Sequence, residues 1–74
     1  MAGKRRTLKF LAIPCTSARE AVRRAAATGG EAIILDGRKL VVSPEDAEKL
    51  EIAGVEFAYL CEHRGQILTV PVND

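Results

Sequence analysis

Tryptophan is absent from this chain of 74 residues, and one tyrosine and two phenylalanines are its only aromatic side chains. So few rings disfavour the stacking platforms on which single-stranded nucleic acids and most RNAs are read. One histidine, His63, and two cysteines, Cys15 and Cys61, are present. Structural zinc takes four ligands, usually in paired Cys-x-x-Cys spacing, and no such pair occurs. No metal and no cofactor are expected. Apolar runs fall far short of the roughly 18 residues of a membrane helix. The basic start, Met1 to Arg6, leads into an alternating stretch that ends at Pro14, not into an unbroken signal-type segment. The expectation is a cytoplasmic protein without membrane attachment, its cysteines reduced and packed.

Signatures of catalysis are missing as well. Gly29-Gly30 follows a helix, whereas a phosphate cradle sits between a strand and a helix start. Cys15 lies between a strand and a capped helix, where a thiol could be activated, but no motif brings a base to it. Arg19 also follows it too closely for the phosphatase pattern. Cys61 and His63 share a strand face without enough further ligands. Glu45, Asp46, Glu48 and Glu51 are helix-start and solvent-face acids with no histidine beside them. These absences point away from an enzyme.

What is present is an ordinary globular composition, 47% hydrophobic and 28% charged, with a net charge of +1. The length allows one domain, 1–74, whose residues 1–6 form a basic, flexible arm. Thr7 to Ile13 reads as a strand closed by Pro14. Ser17-Ala-Arg-Glu20 is a capping box, opening a helix that Gly29-Gly30 stops near Thr28. Its inward stripe is Ala18, Val22, Ala25 and Ala26. Glu31 to Ser43 reads as a hairpin turning over 36–39, with Leu35 opposite Leu40. Ser43-Pro44-Glu45-Asp46 starts a second helix that buries Ala47 and Leu50 and ends near Gly54. Val55 to Val72 reads as a second hairpin turning near His63-Arg64-Gly65-Gln66, with Phe57, Tyr59 and Cys61 facing Leu68, Val70 and Val72. Pro71 suits an edge strand.

The order is β-α-β-β-α-β-β, an α+β, two-layer fold with a mainly antiparallel sheet and two short helices on one face. Leu11, Ile13, Leu60 and Ile67 then have nothing to cover them within one chain, which predicts a homodimer interface.

Charge is divided along the chain. The first 30 residues hold seven basic groups against Glu20 alone, and the remainder holds four basic groups against nine acids. Lys4, Arg5 and Arg6 in the arm, Arg19 and Arg23 on one helix face, and Arg38 and Lys39 at a hairpin tip form a candidate duplex-DNA surface. In addition, Ile13 to Leu50 resembles the N-terminal half of the prevent-host-death antitoxins. The matching residues are Ser17, Ala18-Arg19, Gly30-Glu31, Ile33-Ile34, Gly37-Arg38 and Ser43-Pro44-Glu45, over about half of the chain. The resemblance implies a dimeric DNA-binding regulator of its own operon, with basic residues of the arm and first helix on DNA and a toxin-like protein partner. The alternative is a homo-oligomerising protein-interaction module that does not bind nucleic acid.

Overall fold

The computed structural model describes residues 10–73. Seven elements follow the expected order: β1 (Ala12–Cys15), α1 (Ala18–Thr28), β2 (Glu31–Leu35), β3 (Arg38–Val42), α2 (Pro44–Ile52), β4 (Phe57–His63) and β5 (Gln66–Val72). The five strands form one antiparallel sheet in the order β1-β3-β2-β4-β5. The α+β class and the element order read from the sequence are those observed.

Both helices begin as their caps dictate. The Ser17 hydroxyl accepts from the Glu20 N–H at 3.1 Å, and the Ser43 hydroxyl accepts from the Asp46 N–H at 3.1 Å. Each bond satisfies a backbone donor that the first helical turn leaves without a partner. At the far end of α2, the Asn73 amide donates to the Glu51 and Val55 carbonyls at 2.8 and 3.3 Å, tying the end of the second hairpin to the helix terminus.

The helices do not share a face, which corrects the two-layer reading. Ile33, Leu40, Val42 and Phe57 pack with Ala47 and Leu50 of α2. Their neighbours in sequence, Ala32, Val41 and Leu60, pack with Ala21 and Ala25 of α1. Successive strand residues point to opposite sides of a sheet, so two alternating sets mean two covered faces. Topology gives the reason. β1 and β2 run parallel with β3 between them, and β3 and β4 run parallel with β2 between them. Both helical connections step two places the same way across the sheet, but the strands they join point in opposite directions. Connections of one hand must then cross on opposite faces, and nearly all such connections are right-handed.

Four further expectations are corrected. The first strand begins at Ala12 and runs through Pro14 to Cys15. Proline is accommodated because β1 is an edge strand, and an edge can forgo an N–H. Residues 7–9 of the expected strand lie outside the described residues. Second, the β2–β3 turn is tighter than 36–39: Asp36 and Gly37 make it alone, with φ of 54° and 79°. Leu35 therefore meets Arg38, and Ile33 meets Leu40. The shift is two residues, so every side chain keeps its face. Third, α1 buries Ala21, with Ala26 left exposed. Fourth, Cys61 is exposed, not packed. The second hairpin has the expected register, Phe57 against Val72, Tyr59 against Val70 and Cys61 against Leu68.

Candidate interaction surface

Leu60 and Ile67, expected at an oligomer interface, are taken up inside the chain. Leu60 is 7% exposed and belongs to the cluster under α1, and Ile67 packs against the same cluster. A helix on that face covers what a one-sided arrangement would have left bare. Leu11 and Ile13 do remain exposed, at 87% and 40%.

Three exposed apolar residues were missed: Ile52 at 79%, Leu68 at 43% and Val70 at 51%. A single helix on that face is the available signal. α2 returns the chain from the end of β3 to the start of the parallel strand β4, so it runs back along the strands, and its width of about 10 Å covers roughly two of the five. The distal half of the β4–β5 hairpin therefore keeps Cys61, Leu68 and Val70 open on the α2 side.

The other end of the same face is also uncovered. A groove of about 580 Å³ lies beside the start of β3, with Phe10, Ala12, Leu35 and Leu40 as apolar lining and Arg38 and Lys39 at its rim. These apolar residues belong to, or pack against, the cluster that holds Ala47 and Leu50, so groove and α2 adjoin.

Among the described residues, the candidate DNA-binding side chains are spread over both sides of the sheet. Lys4, Arg5 and Arg6 lie outside the described residues. Arg19 is committed to the fold: its guanidinium meets the Glu62 carboxylate at 3.2 Å and donates to the Gly65 carbonyl at 3.1 Å, clasping the second hairpin's tip to the start of α1. Arg24, on the same helix, pairs with Glu20 at 3.4 Å. Arg23 and Arg38 are exposed and Lys39 half-buried, and none has an ion-pair partner among the described residues. Arg38 and Lys39, adjacent in one strand, start toward opposite faces of the sheet.

Two titrating groups report local structure. The Thr16 hydroxyl and the Thr16 N–H both donate to Glu20, at 2.7 and 2.8 Å, and with nearby Arg24 they hold its carboxyl below the ordinary 4.5. The capping carboxylate thus reaches one residue further back than a standard box, to Thr16. Tyr59 is pushed up to about 12, first by burial, then by its hydrogen bond to the Glu51 carboxylate and the charges of Glu51, Glu31 and Glu48.

The side chains that could support catalysis or metal binding are kept apart. Cys61 and His63 share one face of β4, while Cys15 belongs to β1, three strands away and on the other face. Three strand spacings are about 14 Å, beyond the reach of a disulfide or a shared ion. Among the described residues no three metal-binding side chains gather, and no helix is long and apolar enough to cross a membrane. No family model, curated protein or solved structure matches this chain.

Proposed function

We propose that this chain is a non-catalytic binding domain that works as a homo-oligomer. The observation that carries the reading is the apolar surface left bare around a small core: Leu11, Ile13, Ile52, Leu68 and Val70 are all at least 40% exposed. Ile52, Leu68 and Val70 lie on the α2 side of the sheet and Leu11 and Ile13 on the α1 side, and a second copy would cover such surface on either side. Small domains also gain stability from a second copy, because one short chain buries a limited fraction of its surface. Sedimentation of the full chain across micromolar concentrations tests the reading, and a concentration-dependent rise in mass is expected. A monomer throughout would end it.

A second reading, an antitoxin-like regulator bound to duplex DNA, draws on Arg23, Arg38 and Lys39, which stand without ion-pair partners among the described residues. The sequence resemblance and the basic arm support it too. Anisotropy of a labelled duplex carrying the gene's own upstream region, beside a scrambled duplex, separates the two. Sequence-preferring binding that falls steeply with salt belongs to the regulator. Absence of binding at low salt removes it.

A further inference from the structure

We infer that two copies of this chain dock about a two-fold axis, with α2 of each seated in the apolar groove of the other. The inference rests on the homo-oligomer reading and gives it one surface, on the α2 side of the sheet, which takes in Ile52 and leaves Leu11 and Ile13 on the opposite face. The groove's rim carries Arg38 and Lys39, and no acidic residue lines it. On α2, Glu45, Glu48 and Ile52 follow an i, i+3, i+7 spacing and share the side turned away from buried Ala47 and Leu50. Both glutamates are exposed, and Ile52 is 79% exposed. Neither glutamate has an ion-pair partner among the described residues, and the same holds for Arg38 and Lys39.

The helix thus offers two acids without ion-pair partners among the described residues and an exposed apolar side chain, while the groove offers an apolar floor with Arg38 on its own face of the sheet and Lys39 at the edge, starting toward the other face. Because helix and groove adjoin on one face of one sheet, a two-fold axis lying between them brings each against its complement in the other copy. An isologous interface must be self-complementary in this way. The chain's own first nine residues suit the groove poorly: they carry Lys4, Arg5, Arg6 and Lys9 and no acid, and would bring cations to a cationic rim. Extension of the sheet by a second copy is opposed at both edges by proline, Pro14 in β1 and Pro71 in β5.

The test is a charge exchange read by sedimentation at low and moderate salt. Arg38→Glu with Lys39→Glu gives one variant, and Glu45→Lys with Glu48→Lys gives the other. All four positions lie away from the buried core, and far-UV circular dichroism checks that each variant folds. Each variant alone should self-associate more weakly than the parent by roughly tenfold or more, since like charges then face each other. An equimolar mixture should recover the parent's dimer, because both grooves again face helices of opposite charge. Wild-type dimerisation should weaken as salt rises. Dimerisation untouched by both variants, or a mixture without rescue, overturns this surface and leaves the homo-oligomer reading standing. A monomeric parent chain overturns both.

Discussion

Pro14 and Pro71 stand at opposite edges of one sheet, each in an outermost strand and each with its ring nitrogen turned to the free side. A two-residue hairpin closes on a hydrogen-bonded pair, and bonded and unbonded pairs alternate from there. Counting from His63 and Gln66, Val70 and Val72 bond to β4, and Pro71 between them faces outward. Counting from Leu35 and Arg38, Lys39 and Val41 turn to β1, where they meet Cys15 and Ile13, and Pro14 faces outward. Exposed edges are templates for further strands, and a proline removes the donor that a new strand would need.

Replacing Pro71 with threonine should therefore open the β5 edge. The substitution restores an outward N–H and leaves the pairing with β4 intact. Static light scattering should show growth beyond the parent chain's own mass as concentration rises, with the parent chain as reference. A variant that scatters like the parent would mean that the edge is protected by something other than this ring.

Tyr59 offers a spectroscopic reading of the α2–β4 contact, since it is the single tyrosine and there is no tryptophan. Its folded value near 12 lies above the ordinary 10. The linked stability is complete below pH 10 and is lost as pH rises through the folded value. Phenolate absorbance should stay low where a free tyrosine has half titrated, then rise toward pH 12. Glu51→Gln should move the midpoint down toward 10 by removing a negative neighbour. A midpoint at 10 in the parent chain would contradict the buried, acid-facing environment.

Arg64 adopts φ of 54° in the β4–β5 turn, the same conformation that Asp36 takes in the β2–β3 turn. Aspartate and asparagine tolerate this region, and a long unbranched side chain does so at a cost of about 1 kcal/mol. Arg64→Asn should raise the unfolding midpoint in urea with an unchanged slope. A lower midpoint would show that the arginine side chain contributes more than its backbone strain removes.

Gly30→Ala should act in the other direction. A β-carbon there would fall 2.8 Å from the Val42 carbonyl oxygen and 3.1 Å from a Val41 methyl. Backbone has to move at the point where α1 hands over to the doubly covered pair β2 and β3. A loss on the order of 1–3 kcal/mol is expected by chemical denaturation, as for other overpacked sites. Full retention of stability would show that this junction yields.

Much of the architecture was legible because its signals are local. Ser17 with Glu20, and Ser43 with Pro44, mark helix starts through backbone donors that need a partner whatever else the chain does. The second hairpin's facing residues follow from strict alternation on either side of the His63-Arg64-Gly65-Gln66 turn. In the first hairpin, four turn-compatible residues run together from Asp36 to Lys39, so the sequence leaves its register open by two residues, an offset that leaves the faces unchanged. The side on which each helix lies was not read from alternation alone. The runs Ala32-Ile33-Ile34-Leu35 and Leu40-Val41-Val42 carried the clue, since an unbroken apolar run fits a strand covered on both sides. In α1, alanines at 18, 21, 25 and 26 offer no contrast in size, so the buried stripe could not be fixed by pattern. Of the surface, charge polarity was visible in the sequence. That Arg38 and the exposed Glu45 and Glu48 of α2 lie on the same side of the sheet could be read only from the fold.

The strand order β1-β3-β2-β4-β5 also constrains how the chain can assemble itself. β2 and β3 are joined by two residues and can pair as soon as both exist. β1, synthesised first, has no partner until β3 has been made, and must wait with its apolar side chains unpaired. β4 and β5 are likewise joined by two residues, so they can pair with each other before β4 docks on the free flank of β2. Two local hairpins can thus form early, and β1 is the strand that depends on a distant partner. In the folded protein the same order sets a gradient of opening, with amide exchange slowest in β2 and β3 and fastest along β1 and β5.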